Sequence, residues 1–423
     1  MNLQFINSLG RLIKFDRKLS LFLASLIIST SFFILKNQAV ESLSVDISSN
    51  LGQLSKQGVY NFGDYTGQVN NLIKTRSLVA NEKVLNRYPP GYPLLLYSSF
   101  IISKVLQIKL SYSLFLLASL FIAFSTVIIG EIAYLFYKTK ILAVSAGLLY
   151  TTHPYILQGF SKIMSVTPFM TFFYFSLLVY FIFITREYSN FFYPIVIGFL
   201  LGIAMLIRPI GLFLPIVLSI LTFVYIKKLG IYKRLLISLI ITLSSIVTIL
   251  PWQIINYVHG QRILLSSDEV ASIKDGVSFN HSRKNHLKLP ADVDSLAIYL
   301  STSRVTTRSD FFKIAFRKFI NKPITMVKLI LIKSARSWYG AYGQEAKKER
   351  IKLFILGVYF VLTLLALFKI NFKQRAWRIL GMTNLLLILY FWAMTILVVS
   401  MARYMYPIFG LTVVFIPAIC RKS

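Results

Sequence analysis

The hydrocarbon core of a bilayer offers no hydrogen-bond partner to a peptide group, so a chain crosses it as helices or as a closed barrel. A helix needs about 20 apolar residues to cross. Ten apolar runs of this 423-residue chain approach or meet that length, near 19–36, 112–137, 141–157, 165–185, 192–207, 209–226, 234–254, 351–370, 377–400 and 402–420. Hydrophobic residues make up 56% of the chain and charged residues 14%, where a soluble domain carries roughly 25% charged residues. The expected fold class is therefore an all-α polytopic membrane protein, a single domain over 1–423 with about ten spans, or ten to twelve if further apolar stretches cross.

Orientation follows from the basic residues. Arg11, Lys14, Arg17 and Lys18 precede the first run. That run is too long and too charge-flanked for a cleavable signal, so a cytoplasmic N-terminus is expected. Every second connection should then be cytoplasmic. These connections read Lys138-Thr139-Lys140, Arg186-Glu187, Lys227-Lys228 with Lys233-Arg234, and Lys373 with Arg375 and Arg378. Each carries an excess of Lys and Arg, as the positive-inside rule requires, and the C-terminal Arg421-Lys422 falls on the same side. Counting the apolar stretch 92–108 as a span would put all these charges outside, so a helix lying on the membrane surface is expected there.

Two long segments then face outward, 37–111 and 255–350. The second holds 17 Lys+Arg and 8 Asp+Glu. Its stretches Phe311–Ile320 and Met326–Arg336 are basic and amphipathic, suited to an anionic lipid face or to simple surface anchoring. The chain has 46 Lys+Arg against 15 Asp+Glu, a formal charge of +31. These cations lie between apolar runs rather than on a soluble fold, which excludes a nucleic-acid partner as the reading of the charge. One cysteine, Cys420, excludes a disulfide framework and a cysteine-ligated metal site.

The unusual residues gather at the expected outer ends of the spans. They are Asp46, the string Arg87-Tyr88-Pro89-Pro90-Gly91-Tyr92, His153, Lys162, Arg208-Pro209, Trp252, Asn256, Tyr257 and Arg403-Tyr404. Charges within or beside spans are costly and mark functional sites, although Tyr, Trp and Arg also favour interfaces as anchors. Asp46 can serve as a helix N-cap or as a base that takes a proton from a hydroxyl or amine. Asp64 reads as a turn residue. Glu131, the one carboxylate within a span, lies near the inner end and is expected to be structural or to pair with Lys138 or Lys140.

Taken in order, Asp46, the Tyr88–Leu96 string, Gly202–Leu212, Pro251-Trp252 with Asn256-Tyr257, and Arg403-Tyr404 with Pro407 resemble the C-type membrane glycosyltransferases. The nearest branch is that of protein O-mannosyltransferases and bacterial aminoarabinose transferases. The resemblance extends from about 15 to 415. It implies a polyprenyl-phosphate sugar donor and a glycan, lipid or protein acceptor at the outer face. It also implies Asp46 as catalytic base, Arg87 as a ligand of the lipid phosphate and Arg403, with Arg208, as further cations against that phosphate. Tyr88, Tyr92, His153, Lys162, Trp252, Asn256, Tyr257 and Tyr404 would line the substrate cavity.

Many relatives carry an acid after a Ser at the outer start of the fourth span. Here the string is Met164-Ser165-Val166-Thr167, and Val166 stands at that place. No cofactor or metal site is expected, a divalent metal stays open, and an altered or inactive member is an alternative. A transporter or flippase of lipid-linked glycans is the competing class; it calls for ionisable residues in mid-span. The Ile-, Lys-, Asn- and Phe-rich usage fits an AT-rich genome, and a bacterial inner membrane is the expected location.

Overall fold

The structure is a computed structural model. It describes residues 16–37, 65–80, 83–161, 164–186, 190–260, 289–305, 307–340, 346–398 and 400–420, with positions 263, 265, 266, 273, 274 and 276. Asp46, Asp64 and Lys162 lie outside the described residues.

The chain is an all-α polytopic membrane protein. Each apolar run becomes helix: α1 (Arg17–Asn37), α4 (Leu110–Tyr137), α5 (Lys140–Thr152), α7 (Val166–Arg186), α8 (Phe192–Ile207), α9 (Leu214–Tyr225), α10 (Ile231–Gly260), α14 (Ala346–Phe368), α15 (Arg375–Leu397) and α16 (Tyr406–Thr412). Between them lie α2 (Thr66–Thr75), α3 (Gly91–Leu106), α6 (Pro154–Ser161), α11 (Ala291–Thr302), α12 (Arg308–Asn321) and α13 (Pro323–Tyr339). Val79–Ala80 and Lys83–Val84 form a two-residue antiparallel ladder. Among the described residues, α4, α7, α10 and α15 are long and apolar enough to cross a membrane, and several shorter apolar helices accompany them. The 16 residues of α3 rise about 24 Å at ~1.5 Å per residue, short of the ~30 Å hydrocarbon core.

Helix α7 is the centre of the bundle. Its Phe169, Phe173, Tyr174, Tyr180 and Phe181 are fully buried, where aromatic rings contribute large contact areas. Phe173 meets Phe391 of α15 edge to face at 5.5 Å. The Tyr174 hydroxyl donates to the Pro407 carbonyl at the start of α16 (3.0 Å). Around α7, helix α4 packs on α1 and α5, and α8 packs on α10.

The basic connections meet at one end of the bundle. There Arg375 donates to the Tyr225 carbonyl (3.1 Å), and the Tyr137 hydroxyl donates to Val414 and Phe415 (2.9 Å each). At that end Glu131 pairs with Arg17 at 2.5 Å, and the Arg17 guanidinium lies 3.7 Å over the Tyr134 ring. The partner of Glu131 is thus Arg17, 114 residues away, rather than Lys138 or Lys140. Lys138 instead caps α4 in the left-handed conformation (φ 58°).

Helices α8 and α10 come into close contact at Gly198 and Gly202, four apart on one face of α8. A Cβ on Gly198 would strike the Ile241 carbonyl of α10, and one on Gly202 would strike the Thr248 side chain. Small residues four apart let two membrane helices meet backbone to backbone. Gly198→Ala is therefore expected to cost about 1–3 kcal/mol through overpacking, read as a lowered unfolding midpoint of the purified protein in detergent. Gly357→Ala on α14, where a Cβ meets nothing within 4 Å, should leave that midpoint unchanged or raise it.

Candidate functional site

The opposite end of the bundle carries the candidate site. Pro209 disfavours helical geometry at the residue before it. Helix α8 accordingly ends at Ile207, and Arg208 turns extended (φ −144°, ψ 122°). The turn that follows is fixed from α15: the Tyr390 hydroxyl donates to the Ile210 carbonyl and accepts from the Phe213 amide (3.2 Å). Arg208 is thereby held with its guanidinium 4.7 Å from the centre of the Tyr404 ring. Arg403 stands over the same ring at 5.2 Å, and its Nη2 lies 3.4 Å from the Tyr404 hydroxyl. Two cations therefore share one aromatic ring. A ring quadrupole attracts a cation without neutralising it, and among the described residues no carboxylate pairs with Arg208.

A third element closes on this pair. Gly91 begins α3 against the end of α8, where a Cβ would lie 2.7 Å from the Leu206 carbonyl oxygen. This close approach brings Tyr88 and Pro89 beside Arg208. The three segments enclose a cavity of about 210 Å³, lined by Tyr65, Tyr88, Arg208, Phe213, Thr395 and Tyr404 among others. That is smaller than the roughly 300–1,000 Å³ of small-molecule sites and suits a headgroup fragment. Tyr65 packs between Tyr88 (4.4 Å, tilted) and Tyr92 (4.9 Å, edge to face), and its hydroxyl lies 3.4 Å from Ser165. Burial raises the Tyr65 pKa, against the Ser165 hydrogen bond and the field of Arg208, so the phenol remains a neutral donor.

Arg87 is exposed, and its guanidinium lies 5.5 Å from the Tyr88 ring. Its backbone carbonyl accepts the Ser266 hydroxyl, which places it at the edge of the cavity that Tyr88 lines. Gln68 donates to the Leu85 and Tyr88 carbonyls (2.6 and 2.9 Å). Asn86 donates to Asn256 (2.7 Å), which in turn donates to the Trp252 carbonyl (2.9 Å). The Trp252 indole donates to the Leu265 carbonyl (3.1 Å).

Of the residues singled out in the sequence, the structure brings Tyr88, Arg208 and Tyr404 into one cavity lining, with Arg403 on Tyr404, Tyr92 behind Tyr65 and Arg87 at the edge. Trp252 and Asn256 do not line the cavity. They are buried and strap the 85–89 and 265–266 segments, because Trp252 packs with Met205 and Leu265. Tyr257 points away, 61% exposed. His153 is buried among rings, 4.1 Å from Tyr359 and 5.4 Å from Phe409, and its Nδ1 accepts the Tyr155 amide (3.3 Å). Tyr65, Phe213 and Thr395 escaped the sequence reading, and Ser165 entered it only as the residue before Val166. Among the described residues no group of three His, Cys, Asp or Glu could hold a metal ion.

No family model matches the chain, and no curated protein matches it. Among solved structures, the archaeal oligosaccharyltransferase AglB from Archaeoglobus fulgidus, in complex with an inhibitory peptide and a dolichol-phosphate, aligns with a TM-score of 0.55 at 13% identity. The alignment covers 95% of this chain and 50% of AglB, so the chain spans about half the length of that enzyme. The chain shares its fold with this membrane enzyme.

The strap on the Arg87–Pro89 segment can be tested directly. Asn256→Ala removes the acceptor of the half-buried Asn86 amide, a cost of about 0.5–1.5 kcal/mol for the lost hydrogen bond. Trypsin cleavage after Arg87, followed by mass spectrometry, should accelerate several-fold in that variant and stay unchanged in Tyr257→Ala.

Proposed function

We propose that the chain is a membrane glycosyltransferase that moves a sugar from a polyprenyl-phosphate donor to an acceptor at the outer face of the membrane. The observation that supports this reading most is the pair Arg208 and Arg403 over Tyr404, with Arg208 and Tyr404 lining a small cavity at the end of the bundle. Its fold is shared with an enzyme whose structure holds a dolichol-phosphate and a peptide. A guanidinium fork pairs with two phosphate oxygens at once. In this reading the donor phosphate sits against Arg208 and Arg403, with Arg87 at the edge, and its prenyl chain stays in the lipid.

The acceptor enters from the aqueous side under the 255–350 segment. Asp46 takes the proton of the attacking hydroxyl or amine as its heteroatom bonds to the anomeric carbon. The bond from that carbon to the phosphate oxygen breaks in the same step, and the centre inverts. Negative charge then grows on the departing phosphate, and cations already in place stabilise it without reorganising. The resemblance of the Asp46 and Tyr88–Leu96 segments to C-type glycosyltransferases supports the base and the hexosyl or pentosyl donor. The inner-membrane location of a bacterium, with both termini cytoplasmic, rests on the Lys/Arg bias of the connections.

The test is turnover of a panel of polyprenyl-phosphate sugars by the purified protein, scoring released polyprenyl phosphate. Arg208→Ala and Arg403→Ala should each raise the donor KM about 10- to 100-fold, the ~1.5–3 kcal/mol of a hydrogen bond to a charged group. Arg87→Ala should raise it only a few-fold. Unchanged donor KM in both Arg208→Ala and Arg403→Ala would sink the phosphate assignment. Asp46→Ala should lower kcat about 10²- to 10⁴-fold, and full turnover by that variant would remove Asp46 from the mechanism.

A further inference from the structure

Helices α11, α12 and α13 build a small core of their own from Val293, Leu296, Leu300, Phe311, Met326 and Leu329. This core leaves a groove of about 740 Å³ against the last turn of α15, where Ile396 and Leu397 complete its wall. The volume falls within the roughly 300–1,000 Å³ of small-molecule sites, and apolar side chains dominate the lining. At the groove stands Lys333 of α13, 3% exposed. Its Nζ meets one acceptor, the Val398 carbonyl, at 3.4 Å. An ammonium has three donors, and among the described residues no carboxylate pairs with this one. A buried charge without a counter-charge is strongly unfavourable. Burial lowers the Lys333 pKa to about 7, so its charged form awaits an anion.

We propose that this groove binds a single-chain anionic amphiphile of the fatty-acid class, its carboxylate on the Lys333 ammonium and its hydrocarbon chain along Phe312, Phe316, Phe319 and Leu329. The residues match both halves of such a ligand. Phe316 and Phe319 remain 65% and 41% exposed, apolar area that a chain would cover. At about 25 cal/mol per Å², covering these rings favours binding, and the carboxylate supplies the charge that Lys333 lacks. Lys313 also lines the groove and adds to its positive field. It already sits 3.9 Å from Asp310, which leaves Lys333 as the cation the carboxylate seeks. The proposal does not rest on the transferase reading. Met394, Thr395 and Val398 line the arginine cavity, and Ile396 and Leu397 line this groove.

The experiment uses the full chain in nanodiscs of zwitterionic phosphatidylcholine with a diazirine-bearing palmitate. After photolysis and peptide mapping, label is expected on α12 and α13, displaced by oleate and not by methyl oleate. Lys333→Met, which replaces a buried cation with an apolar side chain of similar length, should weaken oleate binding at least tenfold. Ile330→Glu, at the exposed rim of the groove, should do the same while leaving Lys333 in place, and it serves where Lys333→Met fails to purify as a monodisperse species. Oleate affinity unchanged in either variant would overturn the proposal. Label spread over the transmembrane surface, or displaced equally by the methyl ester, would overturn it too.

Discussion

The position of the candidate site depends on how closely α8 and α10 approach. With Gly198 and Gly202 at the contact, α8 meets the Ile241 carbonyl and the Thr248 side chain of α10 with no side chain of its own between. That fixes the height at which α8 ends, and Pro209 fixes how it ends. The last carbonyls of α8 then point toward Arg208, and a helix C-terminus favours a cation. Gly91 repeats the same device one step later, seating the start of α3 on the Leu206 carbonyl. Three glycines and one proline thus place Tyr88, Pro89 and Arg208 on a common wall. None of these four residues needs to touch a ligand for the wall to depend on it.

The fold was largely readable because lipid simplifies it. The bilayer demands long apolar helices, and their number and edges follow from run length and from where Lys and Arg interrupt. Arg208, Arg403 and Tyr88 were readable for a related reason: cations beside spans stand out against 56% hydrophobic residues. The role of Asn256 was not readable, since its partner Asn86 lies 170 residues away and a polar residue at a helix end looks alike whether it binds ligand or braces a loop. Trp252 and His153 were opaque for the same reason, each being enclosed by residues from distant helices. Tyr65 carries no charge and sits in no motif, so only three-dimensional packing with Tyr88 and Tyr92 reveals it. Glu131 illustrates the bias toward near neighbours: two lysines seven and nine residues away were plausible, and Arg17 took it.

The shortage of acids shapes how this chain holds its arginines. With 15 Asp+Glu against 46 Lys+Arg, cations outnumber carboxylates about three to one, and aromatic rings help hold several of them. Arg17 lies over Tyr134, Arg87 over Tyr88, Arg208 and Arg403 over Tyr404, and Arg234 over Phe223. The distinction matters for function. A carboxylate partner cancels the field of an arginine, whereas a ring orients the guanidinium and leaves its charge in force. Where α1 must be tied to α4, the chain uses one of its few acids, and the Arg17–Glu131 pair is electrically closed. Where Arg208 lines the cavity it shares the Tyr404 ring with Arg403. Two guanidinium groups oriented over one tyrosine ring, with Arg208 at a helix end seated by glycine contacts, are what the proposed phosphate site is built from. In the proposed reading, the same composition that puts cations at both ends of the bundle leaves those at this end to meet a phosphate.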